Sequence, residues 1–152
     1  MKNLRSLLVI LFIVPVIAFG QMTDRQVERF LETATPREMI QKNTIMLMDG
    51  FYHQSIMVID ELLTSEPDNA NFNYRKGYAL FHSVSDYTKA IPFLKKASKS
   101  VTNIYDLFSP NEDDAPLETY FYLGRCYHLN AEINKAKENY NKFLSNPPKK
   151  SE

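Results

Sequence analysis

From Thr23 onward the apolar positions of this chain recur at helical spacing. Val27, Phe30, Leu31 and Ala34 fall at i, i+3, i+4 and i+7, one face of a short helix. Met39, Ile40, Met46 and Leu47 supply the apolar side of a second helix, which Gly50 interrupts. Tyr52 opens a third, carrying Ser55, Ile59 and Leu62. Ala70 to His82 predicts a fourth. A turn over Ser83 to Asp86 leads to a fifth, marked by Tyr87, Ala90, Leu94 and Ala97. Pro92 falls inside that fifth helix, where it would remove a backbone hydrogen bond and kink the helix, at a cost of about 3 kcal/mol. Tyr120, Leu123, Gly124 and Tyr127 mark a sixth helix. Ala136, Tyr140 and Phe143 mark a seventh, which Pro148 closes.

The polar residues between these stretches supply start signals. Thr23 with Gln26, and Thr35 with Glu38, are two capping boxes, each able to satisfy two backbone donors. Pro36 follows Thr35 at the first helical position, where its missing N–H costs nothing. Asp68 or Asn69 can cap the fourth helix, and Asp113 or Asp114 the sixth, expected to start near Pro116. Thr102 to Pro116 has the chemistry of turns and reads as an insertion, with Tyr105, Leu107 and Phe108 expected to fold back onto the helices.

The first twenty residues differ from the rest. Lys2 and Arg5 precede the apolar run Leu7 to Phe19, and Ala18 and Gly20 are small residues before Gln21. This is the pattern of a cleaved secretory signal peptide. The apolar run is shorter than the roughly 18 residues of a membrane span, which makes an uncleaved anchor the lesser alternative. With Lys2 and Arg5 removed, 16 basic residues stand against 18 acidic ones, a balance of about −2. No basic surface therefore points to nucleic acid. At 152 residues the chain is sized for one domain, and 44% hydrophobic content suits a packed core. Cys126 is the single cysteine, so no intramolecular disulfide forms, and its apolar helical setting suits a buried thiol.

Candidate chemistry is sparse. His53, His82 and His128 sit in no metal-binding or nucleophilic pattern, and no serine lies in a nucleophile elbow. The run Glu112-Asp113-Asp114 lacks calcium-loop spacing and reads as capping and solvation. Lys95, Lys96 and Lys99 read as a solvated helix face. The residues point to no enzyme, no cofactor, no metal and no small-molecule substrate.

The spacing of Tyr120, Leu123, Gly124, Tyr127, Ala136, Tyr140 and Pro148 within Leu117–Lys150 resembles the tetratricopeptide repeat (TPR), a helix–turn–helix unit with a 34-residue period. Phe143 departs, since the family has a small residue there. On that frame the expected fold is all-α: a short α-solenoid of three TPR hairpins with a leading helix. Residues 1–20 are the signal peptide, 21–35 the leading capping helix and 36–69 repeat 1. Residues 70–104 are repeat 2, 105–116 the insertion and 117–150 repeat 3. Repeat 1 has Lys42 and Asn43 where the family has Leu-Gly, and repeat 2 has Lys76 before Gly77. The resemblance assigns Gly77, Ala90, Ala97, Leu123, Gly124, Tyr127, Ala136 and Tyr140 to packing between helices. It places Arg37, Ile40, Thr44, Leu47 and Met48, then Asn71, Tyr74, Tyr78, Phe81 and His82, then Glu118, Phe121, Arg125, His128 and Leu129 toward a concave groove. Among these, Tyr74, Tyr78, Phe81, Phe121, Arg125 and His128 are the candidate partner-binding set, rich in residue types that dominate binding energy. A core role for some of the aromatics is the alternative.

Asp86 to Asn103 and Ala115 to Leu144 also resemble the N-terminal TPR module of Bacteroidetes exported envelope proteins that continue into a β-propeller and an OmpA-like domain. Neither of those domains is among these residues, so peptidoglycan binding and secretion are not carried over. The resemblance implies a periplasmic, non-enzymatic module that binds a protein or peptide segment, in the neighbourhood of outer-membrane or peptidoglycan-bound complexes. The alternatives are a structural fragment of a larger envelope assembly protein, or an accessory subunit of an envelope enzyme.

Overall fold

The computed structural model of the chain describes residues 22–83 and 87–146. The predicted signal peptide, the centre of the turn at 84–86 and the closing Pro147–Pro148 lie outside the described residues. Within them the chain is predominantly helical. There are seven α-helices, α1 (Asp24–Leu31), α2 (Pro36–Met48), α3 (Tyr52–Ser65), α4 (Ala70–Ser83), α5 (Ile91–Ala97), α6 (Glu118–Leu129) and α7 (Ile133–Ser145).

Local chemistry sets most of the boundaries. Both predicted capping boxes form. The Thr23 hydroxyl accepts from the Gln26 N–H at 3.4 Å while the Thr23 N–H donates to Gln26 Oε1 at 2.8 Å. The Thr35 hydroxyl accepts from the Glu38 N–H at 3.3 Å, and the Thr35 N–H donates to Glu38 Oε2 at 2.8 Å. Those bonds from Thr35, its backbone first, hold the Glu38 carboxyl below its usual value. Of the two residues proposed to cap α4, Asn69 does so, its Oδ1 accepting from the Phe72 N–H at 3.0 Å.

Helices α2 and α6 end in the same turn. After α2, Gly50 stands at φ +78° and the Phe51 N–H reaches back to the Met46 carbonyl at 2.8 Å. After α6, Ala131 stands at φ +59° and the Glu132 N–H reaches back to the Tyr127 carbonyl at 2.8 Å. A left-handed residue that frees two backbone donors for the last helical carbonyls is the Schellman arrangement. Glycine takes that conformation without strain; alanine at position 131 does not.

Pro92 corrects an expectation. A single-turn 3-10 segment, Tyr87–Ala90, precedes α5, so Pro92 falls in the first turn of α5 rather than inside a longer helix. First-turn N–H groups have no partner within the helix, so the missing donor breaks no internal bond. The kink and its cost do not arise.

The segment from 101 to 116 is more ordered than turn chemistry alone implies. Val101–Thr102 (β1) and Ala115–Pro116 (β2) pair in parallel, Val101 with Ala115 and Thr102 with Pro116. This two-residue ladder was not predicted. It closes the base of the insertion, helped by the Ala115 N–H donating to the Ser100 carbonyl at 2.9 Å. Two further expectations change here. Asp113 and Asp114 do not cap α6, whose first turn carries no side-chain cap. Asp113 accepts from Asn69 Nδ2 at 3.0 Å and Asp114 from the Ser100 hydroxyl at 2.5 Å, so both tie the insertion to neighbouring segments. Phe108 does not fold back: 65% of it is exposed. The Phe108 N–H donates to the Asp106 carboxylate at 2.9 Å, a local turn that sends its ring outward.

Packing proceeds along the chain, α2 on α3, α3 on α4, α4 on α5, α5 on α6 and α6 on α7, with α1 laid against α3. Two apolar clusters result. Val27, Met39, Ile40, Met46, Val58, Ile59, Leu62 and Phe72 form one. Ala70, Tyr74, Ala90, Leu94, Ala97, Leu123, Cys126, Tyr127 and Ala136 belong to the other. Helix α4 is the wall between them. Among the described residues, no helix is long and apolar enough to cross a membrane.

Candidate functional site

Aromatic side chains leave α4 along one side at positions 74, 78, 81 and 82, a spacing that a helical turn brings into one stripe. Helix α6 answers with Phe121 and Tyr122, and the start of α3 with Tyr52. His82 sits among four rings. It stacks on Tyr52 with centroids 5.2 Å apart and planes 22° apart, and lies 4.4 Å from Tyr78, 5.1 Å from Phe81 and 5.5 Å from Tyr122. Tyr122 meets Tyr78 edge-on at 5.1 Å and Phe81 at 5.3 Å. Offset and edge contacts of this kind contribute about 0.5–1.5 kcal/mol each beyond burial.

Arg125 projects from α6 over this stripe. Its guanidinium carbon is 4.9 Å from the Phe81 centroid and 5.9 Å from that of Phe121. Arg125 is exposed, while Phe81, Phe121, Tyr78 and Tyr122 are half-buried. The result is an aromatic floor with a cation at its edge. The floor shifts the acidities of its members. Burial, then the neighbouring Tyr122, raises the Tyr78 phenol above its usual value. Burial raises Tyr122 too, against the opposing pull of Arg125. Partial burial and then Arg125 lower the His82 imidazole below its ordinary 6.5, so His82 is neutral at pH 7.

The six candidates are not all brought together. Tyr78, Phe81, Phe121 and Arg125 share the floor. Tyr74 does not line an open groove: it is 9% exposed, and its ring meets Tyr78 and Tyr105 at 6.0 Å. Burial lifts its phenol well above the usual value. His128 is also separate. Three residues beyond Arg125 it has turned about 300° around α6, toward α7. There its ring lies 6.3 Å from Tyr140, and it lines a small cavity of about 170 Å³ with Ile133, Ala136 and Lys137. Of the packing set, Gly77, Ala90, Ala97, Leu123, Gly124, Tyr127 and Ala136 are buried, and Tyr140 is half-buried. From the remaining concave positions, Ile40, Thr44, Leu47 and Asn71 are buried, while Arg37, Met48, Glu118 and Leu129 are exposed.

Two parts of the site were not read from sequence. Tyr52 and Tyr122 belong to the floor; the clue was only that each is an aromatic at a helix position near the stripe. The larger omission is Arg75, which is fully buried. No carboxylate pairs with it among the described residues. Its Nε donates to Asn71 Oδ1 at 2.9 Å, Nη1 to the Thr44 hydroxyl at 2.7 Å and to Asn43 Oδ1 at 3.3 Å, and Nη2 to the Leu107 carbonyl at 2.7 Å. Tyr105 adds a bond from its hydroxyl to Asn71 Oδ1 at 2.7 Å. Neutral oxygens from α2, α4 and the insertion thus take the place of water around one cation. A buried charge is tolerable only when its hydrogen-bonding capacity is met. The network therefore fixes α2, α4 and the insertion relative to one another, directly behind Tyr74 and one turn from Tyr78.

Cys126 is buried, and burial pushes its thiol up to about 12, so it is an unreactive core group at neutral pH. Among the described residues, no three His, Cys, Asp or Glu side chains cluster closely enough to hold a metal ion. Comparison with protein-family models and with curated proteins finds no match to this chain.

Proposed function

We propose that the chain is an exported TPR-type α-solenoid whose aromatic face docks an extended protein or peptide segment in the cell envelope, without catalysing a reaction. The observation that carries this reading is the floor of Tyr52, Tyr78, Phe81, His82 and Tyr122 with Arg125 at its edge. Large, semi-rigid aromatics and an arginine with free donors are the groups that contribute most to binding when a partner seals them from water.

The repeat reading draws support from equivalent positions. Asn43, Gly77 and Gly124 occupy the same place in the proposed units. A side-chain carbon at Gly77 would lie 2.6 Å from Leu94, and one at Gly124 2.8 Å from the Tyr140 ring. At Asn43 the approach is made instead by hydrogen bonds from Nδ2 to the Ser55 carbonyl and hydroxyl, both 2.9 Å. The left-handed turns at Gly50 and Ala131 also fall at one repeat position. The Arg75 network supports the binding role by holding the floor's backing in place, which reduces the ordering cost of association.

The test is photocrosslinking in intact cells from a probe at position 81, with Tyr78→Ala plus Arg125→Ala as the control. The reading expects one or a few envelope proteins crosslinked in the parent and lost in the double variant. An unchanged crosslinking pattern in the double variant would refute the assignment of this face.

A further inference from the structure

We infer that this face selects a proline-rich segment in the polyproline II conformation, carrying one acidic and one basic side chain three residues apart. This rests on the reading above that the face docks an extended segment.

The inference starts from two charges on α6. Glu118 and Arg125 are seven residues apart, which places them within about 20° of one another around the helix and about 10.5 Å apart along it. Both are exposed. Both act on the ring between them: Arg125 favours and Glu118 disfavours ionisation of the Tyr122 phenol. Neither makes an ion pair with another described residue, whereas Lys76, Lys96, Lys135 and Lys142 each have a carboxylate partner. The floor thus presents an open anion at one end and an open cation at the other, with aromatic surface between.

An occupant that meets both charges needs opposite charges on one side, spaced to match. A β-strand cannot supply this: side chains on one face are two residues or four residues apart, about 6.6 or 13 Å. An α-helix would span the distance with the charges seven apart, but it is not the extended segment of the reading above. A polyproline II segment has three residues per turn and rises about 3.1 Å per residue, so i and i+3 share a face at about 9.3 Å. Of the extended conformations, that is the closer match to the spacing on α6. Proline rings between the charges would lie on Tyr122, Tyr78 and Phe81, and aromatic-lined grooves suit this preformed, low-entropy conformation.

The probes are synthetic fluorescein-labelled peptides with the core Asp-Pro-Pro-Lys, compared with Asp-Pro-Lys, Asp-Pro-Pro-Asp and Lys-Pro-Pro-Lys cores, measured by fluorescence anisotropy. The mixed-charge core at i, i+3 should bind tightest, by about fivefold, as expected for two solvent-exposed ion pairs, and the advantage should shrink in high salt. Arg125→Glu should move the preference to the two-lysine core, and Glu118→Arg to the two-aspartate core. The double reversal should restore the mixed core. Binding of all cores with equal affinity, or a preference that ignores the reversals, would overturn the charge register while leaving the docking face standing. If no peptide binds, this proposal falls, and the docking face is decided by the crosslinking from position 81. Self-association of the chain that Arg125→Glu abolishes would assign the face to a second copy and overturn the proposal as well.

Discussion

Replacing Arg75 by lysine should destabilise the fold more than replacing it by methionine, although lysine keeps the charge. Methionine preserves much of the apolar stem and removes the cation. Of the four oxygens that lose a donor, two still accept from a hydroxyl. Asn71 Oδ1 still accepts from Tyr105, and the Leu107 carbonyl, 3.2 Å from the Thr44 hydroxyl, shares its one proton with the Ile40 carbonyl at 3.0 Å. Asn43 Oδ1 is left without any described bond, whereas the Thr44 hydroxyl loses its donor but still donates. One buried acceptor without a partner costs about 1–3 kcal/mol. Lysine instead keeps a buried charge but cannot reproduce the planar fork that reaches Asn71, Asn43, Thr44 and Leu107 together. A buried cation with incomplete solvation costs about 3–5 kcal/mol. Urea unfolding followed by far-UV circular dichroism measures the difference, with hydrogen exchange at residues 105–108 reporting whether the insertion detaches. A lysine variant as stable as the methionine variant, or more stable, would refute the view that neutral dipoles in a fixed geometry hold this charge.

Three further outcomes follow from particular contacts. Ala131→Gly should raise stability by up to about 1 kcal/mol by relieving the left-handed alanine, while Gly50→Ala should lower it by a similar amount; thermal midpoints decide both. Gly77→Ala should cost about 1–2 kcal/mol net of the better helix propensity, because the new methyl meets the buried Leu94 side chain and, at 3.3 Å, its backbone nitrogen. Gly124→Ala should cost less, since the half-buried Tyr140 ring can swing aside. The His82 imidazole titrates lower in the folded chain than its ordinary 6.5, so the unfolded chain takes up the proton first. Its contribution to stability is complete above about pH 6.5 and is lost as the pH falls toward the folded value. The denaturation midpoint should therefore drop more between pH 7.5 and 5 in the parent than in His82→Gln.

Short-range features were the most legible. Thr23, Thr35 and Asn69 cap the helices expected of them because a cap depends on residues three positions apart. Gly50 ends α2 for the same local reason. The matching turn at Ala131 was hidden because alanine gives no sign of a left-handed backbone. The Pro92 error came from reading Tyr87 to Ala97 as one continuous helix; a tighter first turn moved the proline to a harmless place. Tyr74 and Tyr78 look alike in sequence, four residues apart on one helix. Tyr105 arrives from 31 positions away to cover Tyr74, and no spacing rule contains that contact. The β1–β2 ladder was equally invisible, since two residues a side carry no periodicity.

Arg75 joins these threads. Asn43 was the misfit in the first predicted unit, standing where the other two have glycine. Its Nδ2 bonds Ser55 across the helix contact, and its Oδ1 accepts from Arg75. Asn43 thus lines the polar chamber that the arginine fills. Leu107 and Tyr105 complete the chamber, giving the insertion a role as its lid. A departure from the repeat pattern, a buried charge and an inserted segment are therefore one device. It anchors α4 from behind, so that Tyr78, Phe81 and His82 meet the rings of α3 and α6 in one arrangement before any partner arrives. Loosening it with Asn43→Gly should weaken binding at the aromatic face although no contact there is altered, and isothermal titration should show the loss in entropy.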